Sequence, residues 1–225
     1  VCAIVVSSGI SYVWQTVLRM IGFTHVSSRT DYSSIGVLFK ELFLVAVLPG
    51  VCEEIAHRGL IRAGYKESKS WYVVVSALLF SLMHQNIVQT GYTFFFGATL
   101  ALITYYTGSI WGGILIHFAN NAFSVFSEYV SQNGGAFDFI NKISDWVYSS
   151  NLGFAVAAGV VVLCACLLVL FFFLMRKDAV KKERISDTPF DSGNLAKGYV
   201  DVPFLLTLAV GVCATIFSFV WGMTR

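Results

Sequence analysis

The sequence predicts an all-α protein, a polytopic helical bundle crossing a membrane about seven times. Three observations carry that prediction. Apolar residues make up 56% of the 225 positions and charged residues 12%. A water-soluble domain carries about 25% charge, so this chain has too little to coat a soluble globule. The apolar residues gather in runs long enough to cross the hydrocarbon, which takes about 20 helical residues. The basic residues cluster beside those runs. A disordered chain is excluded as well, since such chains are poor in apolar and aromatic residues and this one has 20 Phe.

Residues 1–22 form a first span, made imperfect by Ser7, Ser8, Gly9 and Arg19. The chain starts at Val1 without a Met, so missing upstream sequence is expected. No signal peptide is expected in these first residues, which lack a basic leading segment. Residues 35–65 form a long segment interrupted at Pro49-Gly50, and its second part, VCEEIAHRGLI, is too polar to face lipid. Residues 71–89 and 91–107 read as two helices with a tight turn near Thr90-Gly91, and 110–130 as another. The stretch 131–150 mixes Gly134, Gly135, Asp138, Lys142 and Asp145 with apolar residues, as an extramembrane loop with a surface helix would. Residues 152–175 are the most hydrophobic span, 176–201 a charged loop, and 203–222 the last span. Gly108 and Gly112, four apart, suit close helix packing. The expected organisation is therefore 1–34 as first span and outer loop, 35–130 as core helices, 131–151 as extracytoplasmic loop, and 152–225 as two further spans around the basic loop 176–201.

Charge sets the orientation. Arg62, Lys66 and Lys69 in one loop, and Arg176, Lys177, Lys181, Lys182 and Arg184 in another, should share the cytosolic side. Four crossings between these loops, at 71–89, 91–107, 110–130 and 152–175, return the chain to that side. A basic tract abutting a span is a membrane anchor before it is a nucleic-acid site, so the expected partner is the lipid bilayer and no nucleic acid. The five cysteines are odd in number and form no CxxC pair, which indicates neither a disulfide framework nor a cysteine metal site.

The residues that carry chemistry are the ionisable ones inside spans, since each is costly unless paired or facing a polar cavity. Glu54 and Arg58 are four apart and share a helix face. Glu53 points about 100° away and lacks that partner. Two adjacent carboxylates in different environments are the pattern that separates a working base from a structural one. Phe80 and His84 share a second face, and His117 and Asn121 a third, with Asn120 alongside. Such groups can form an internal network that holds helices in register. Together they also suit hydrolysis: a carboxylate takes a proton from water, a histidine assists, and an Asn amide with a second His donates to an oxyanion. Cys52 adjoins the acidic pair, where a carboxylate disfavours the thiolate a nucleophile needs. Glu53, His84 and His117 could supply the three protein ligands of a catalytic Zn²⁺, although no HExxH is present.

EEIAHR (Glu53 to Arg58) fits EExxxR, FSLMH (Phe80 to His84) fits FxxxH, and HFANN (His117 to Asn121) fits HxxxN. In that order, each within an apolar helix, they resemble the CAAX-protease and bacteriocin-processing family (CPBP, or ABI family) of membrane-embedded proteases. The likeness runs from about Glu41 to Phe126 and includes TGSIWGGILIH. It implies a CAAX-prenyl-endopeptidase-like core and a cavity within the membrane that opens toward the cytosol. In it Glu53 and His84 activate the attacking water, His117 and Asn121 form the oxyanion hole, and Glu54 with Arg58 orders the site. The family is often classed as metallopeptidase, with a glutamate-dependent mechanism as the competing account. The resemblance makes no cofactor certain; Zn²⁺, if bound, falls to Glu53, His84 and His117. One departure is His57, where the family commonly has an aromatic: it either bonds Glu53 four residues before it or replaces a ring with a ring.

The expected protein is thus an intramembrane endopeptidase of a bacterial plasma membrane. It cuts a peptide or protein substrate near the membrane surface, in CAAX-type processing or bacteriocin maturation. The first rival is a non-proteolytic immunity or scaffold protein of the same fold. The second is a small transporter with a Glu/His relay, against which stands the lack of paired half-repeats with broken helices.

Overall fold

The computed structural model describes residues 1–24, 30–64, 69–185 and 202–224. Lys66 and residues 186–201 of the basic loop lie outside the described residues. Those described form eight helices: α1 (Cys2–Met20), α2 (Ile35–Ala63), α3 (Lys69–Leu82), α4 (Ile87–Thr107), α5 (Trp111–Asn133), α6 (Phe139–Ser149), α7 (Asn151–Lys181) and α8 (Val202–Met223). A single 3₁₀ turn, Gly135–Phe137, precedes α6.

The protein is all-α and membrane-embedded. Four helices are long and apolar enough to span a bilayer: α2, α4, α7 and the Phe204–Met223 portion of α8. Their burial tells the centre from the periphery. In the most apolar stretch of α4, 44% of residues are buried, against 6% in α7. The α7 surface is a wall of exposed Leu167, Val169, Leu170, Phe171, Phe173 and Leu174, as a lipid-facing helix would present. α3 and α4 form the tightest antiparallel pair, α1 packs on α4 and α7, α5 packs on α2, and α8 covers α3 and α4.

Several sequence expectations need correction. The turn between α3 and α4 is at Met83–Asn86, not at Thr90-Gly91. Gln85 there takes φ 51°, and Asn86 caps α4 by accepting from the Val88 N–H at 3.0 Å. Gly91 is inside α4 and lets Trp14 approach: a Cβ there would lie 2.5 Å from the indole. Pro49 does not interrupt α2. A π-helical segment, Leu42–Val47, precedes it and widens the helix where the ring would crowd the preceding turn. Gly108 shares no helix face with Gly112. It is the left-handed cap that ends α4, with φ 75°, and a Cβ there would be strained. The start of the expected 176–201 loop is helical, because α7 continues through Lys181. The surface helix expected within 131–150 is α6.

Fourteen residues of α3 rise about 21 Å, short of the roughly 30 Å hydrocarbon. The Met83–Asn86 turn, with Met83 and Gln85 exposed and His84 and Asn86 half-buried, is irregular backbone whose polar groups must be satisfied at that depth. The Ile87 N–H donates to Ser218 Oγ of α8 at 3.3 Å, and the Ile87 carbonyl accepts from Trp14 Nε1 of α1 at 2.7 Å. Ser81 Oγ donates to the Thr90 carbonyl at 2.8 Å. This braced turn carries His84.

Candidate active site

The site is built around Glu54 and Arg58, both with fully buried side chains. Arg58 Nη1 donates to Glu54 Oε1 at 3.0 Å, its Nη2 donates to the Gly97 carbonyl of α4 at 2.8 Å, and its guanidinium lies 4.6 Å above the centre of the Phe80 ring. A second π-helical segment of α2, Ile55–Leu60, begins directly after Glu54 and carries both His57 and Arg58. Ser76 Oγ donates to the His57 carbonyl at 3.2 Å within it. Two glycines make room. A Cβ on Gly113 of α5 would sit 2.5 Å from Glu54 Oε2, and one on Gly97 would sit 3.0 Å from Phe80.

His117 is buried between the two carboxylates. Its Nδ1 is 3.0 Å from Glu54 Oε1, and its Nε2 is 3.9 Å from Glu53 Oε2. A carboxylate only accepts, so Nδ1 carries a proton and Nε2 faces Glu53. Glu53 Oε2 is itself buried and has no hydrogen-bond partner. The Glu53 side chain as a whole is 20% exposed, against none of Glu54. Oε2 of Glu54 is unpartnered too, but Glu54 is held by two donors on Oε1, whereas Glu53 is partly open.

Phe80 is the hub of the rings. It meets His57, His84 and His117 edge-on, at centroid distances of 5.4, 5.2 and 5.4 Å. His84 Nδ1 is 2.8 Å from the Phe80 carbonyl, which fixes the proton on Nδ1 and leaves Nε2 as the acceptor. Glu53 and His117 are its ionisable neighbours. His57 Nε2 is 2.8 Å from Met83 Sδ, so this histidine fills the space of a ring beside Phe80. Asn121 is committed on two sides. Its Nδ2 donates to the Val45 carbonyl at 2.9 Å, and its Oδ1 accepts from Asn120 Nδ2 at 3.1 Å. Val45 lies four residues before Pro49, which has no N–H to offer it.

The structure thus brings Glu53, Glu54, Arg58, Phe80 and His117 into direct contact, with His84 and His57 against the shared ring and Asn121 one turn further along α5. Sequence reasoning misses Gly113, the Gly97 carbonyl and Ser76. A glycine pair at 112–113 reads as helix packing, and nothing in a sequence announces which carbonyl an arginine will find. Among the described residues no group of three or more His, Cys, Asp or Glu is disposed to hold a metal ion. No step is assigned to a metal.

Residues 35–123, which contain all three motifs, match the family model for type II CAAX prenyl endopeptidase Rce1-like proteins. No curated protein and no solved structure matches the chain.

Proposed function

Residues 35–123 belong to the Rce1-like family of type II CAAX prenyl endopeptidases, and we propose that the whole chain is an intramembrane endopeptidase acting through a glutamate-activated water. One observation carries the reading: Glu53 Oε2 is buried yet unpartnered and faces His117 Nε2 at 3.9 Å. An unsatisfied buried acceptor is costly unless it has work to do.

In this mechanism Glu53 removes a proton from water, with the His84 Nε2 lone pair assisting, and the hydroxide adds to the scissile carbonyl carbon. The oxyanion accepts from His117 Nε2, whose ring must then carry a proton on each nitrogen, Nδ1 keeping its own for Glu54, and from the second Asn121 amide hydrogen, the first being spent on Val45. Collapse breaks the C–N bond, and the proton held by Glu53 passes to the departing amine. Glu54 holds His117 through Nδ1 and is itself held by Arg58. The substrate is a peptide cut close to the membrane surface. An apolar cavity of about 360 Å³ between Leu79, Leu82, Met83, Gln85 and α8, lined by the sequence neighbours of His84 and not by His84 itself, offers room for an apolar group on the substrate. Seven crossings, a plasma membrane and a site open toward the cytosolic, basic end complete the proposal.

The test is peptidase activity in lipid on a panel of precursor peptides. Glu53→Gln keeps the shape and removes the base, and should lower kcat by about 10²–10⁴-fold with KM little changed. Near wild-type turnover by Glu53→Gln on a cleaved substrate would sink the assignment.

A further inference from the structure

Threonines inside these helices have a habitual partner. Thr16, Thr90, Thr93 and Thr107 each donate their hydroxyl to the carbonyl four residues earlier, at 2.8–2.9 Å. Thr104 of α4 does not. It is fully buried, at 0% exposure, and its Oγ1 has no hydrogen-bond partner. The hydroxyl is turned toward α5 and α2 instead. The point where a Cβ on Gly113 would stand is 3.6 Å from Thr104 Oγ1 and 2.5 Å from Glu54 Oε2. The two oxygens are therefore at most about 6 Å apart, close to the span of two O–H···O bonds of about 2.8 Å each.

Glu54 Oε2 is itself buried without a partner, as are Arg58 Nε and Tyr72 Oη of α3. Tyr72 is 1% exposed. Its ionisable neighbours are Arg58, Arg62 and Glu54, and its hydroxyl faces Thr104 without reaching hydrogen-bonding geometry. Eight buried side-chain nitrogens and oxygens among the described residues lack a hydrogen-bond partner. Half of them thus fall at one junction of α2, α3 and α4. Such atoms are rare in native proteins, and a buried water typically satisfies about three of them at once. The chemistry of the three oxygens sorts the bonds. A carboxylate only accepts, whereas the Thr104 and Tyr72 hydroxyls can donate. A water between them donates one hydrogen to Glu54 Oε2 and accepts one from each hydroxyl, so all three oxygens are paired.

We propose that Glu54 Oε2, Thr104 Oγ1 and Tyr72 Oη hold one buried water molecule, distinct from the water that Glu53 activates, and that Thr104 and Tyr72 are thereby positioning residues for Glu54. Oε1 of Glu54 already takes Arg58 and His117. With Oε2 held as well, the carboxylate cannot turn about its last bond, and the His117 ring that it orients keeps Nε2 toward Glu53. The positioning role rests on the endopeptidase reading; the water site does not. When Oε2 is released, substrate binds as before, but His117 meets the developing oxyanion less well. The loss falls on kcat.

A crystal structure of the full chain in a lipidic phase, at a resolution that shows ordered water, should place density within hydrogen-bond reach of all three oxygens. Thr104→Val keeps the shape of the side chain and removes the hydroxyl. On a precursor peptide that wild type cuts, it should lower kcat about tenfold, the upper end of what one hydrogen bond contributes, with KM unchanged. Thr104→Ser, which returns the hydroxyl, should recover most of the loss, and Tyr72→Phe should lower kcat in the same way as Thr104→Val. Melting curves check that each variant is folded, and the wild-type density decides the water site whatever the variants do. Missing density at that point in wild type, or a Thr104→Val enzyme with wild-type kcat, would overturn the proposal. The two readings fail separately. Cleavage of precursors by a chain with no density there removes the water site and leaves the endopeptidase. Density there in a chain that cuts no precursor upholds the water site and removes the endopeptidase.

Discussion

Glu54 Oε1 takes two donors at once, Arg58 Nη1 and His117 Nδ1, each at 3.0 Å. A single oxygen thus sets the positions of a buried cation and a candidate catalytic ring. Substituting Glu54 by Gln removes the charge that compensates Arg58. Leaving one partner of a buried pair uncompensated costs about 3–5 kcal/mol. Glu54→Gln is therefore expected to melt earlier than wild type in detergent and to lose activity with its fold. A Glu54→Gln protein as stable as wild type but inactive would move Glu54 from holding the site into the chemical step. Much at this level is legible from residue types alone, because an ionisable group in an apolar helix has few reasons to be there. The spacing of four in EExxxR then assigns the pair correctly. What Thr104 does is not legible in the same way. A threonine in an apolar helix reads as bonded to its own backbone until Glu54 is seen across from it.

Pro49 and Asn121 belong to different helices and share one carbonyl. Pro49 withholds a donor from Val45, and Asn121 supplies one from α5. Pro49→Ala restores an N–H that competes for the same oxygen, so Asn121→Ala should destabilise the wild-type chain more than it destabilises the Pro49→Ala chain. A double-mutant cycle read by thermal denaturation should give a coupling of about 0.5–3 kcal/mol, as for residues in one network. Strict additivity would mean that Pro49 and Asn121 are not coupled through the Val45 carbonyl. The sequence shows the proline as an interruption, whereas π-helical winding and a donor 76 residues away keep α2 continuous. The α3–α4 turn is misjudged for a related reason. Thr90-Gly91 and Gln85-Asn86 are comparable turn signals locally, and the choice is made by Trp14 filling the space a Gly91 side chain would need and by Ser218 meeting the Ile87 N–H. Both partners are remote in sequence, which is why local pattern cannot weigh them.

For the whole molecule, the hydrogen bond from Arg184 to the Tyr106 carbonyl, at 3.4 Å, puts the end of α7 beside the end of α4. Thr24 and Gly222 meet at the opposite end, at 2.9 Å. The basic end and the α6 end thus face opposite ways along the bundle, in keeping with the proposed crossings. Lys181→Cys, on a background without the five native cysteines, should resist a membrane-impermeant maleimide in intact cells and react after lysis. Strong labelling in intact cells would invert the orientation.

The bracing of the His84 turn also has a temporal side. The turn is fixed from one side by α1, which precedes it, and from the other by Ser218 and by Gly211 of α8, whose close approach to Leu82 leaves no room for a Cβ. During synthesis at roughly 5–20 residues per second, the ribosome reaches Ser218 on the order of 10 s after His84. Once Asn121 is made and until Ser218 follows it, the three motifs are already present, yet the Ile87 N–H has no acceptor and Leu82 has no cover. Completion of the candidate site is thereby tied to insertion of α8, a helix outside the matched segment, so a ribosome-bound chain carries every motif residue before it carries an assembled site.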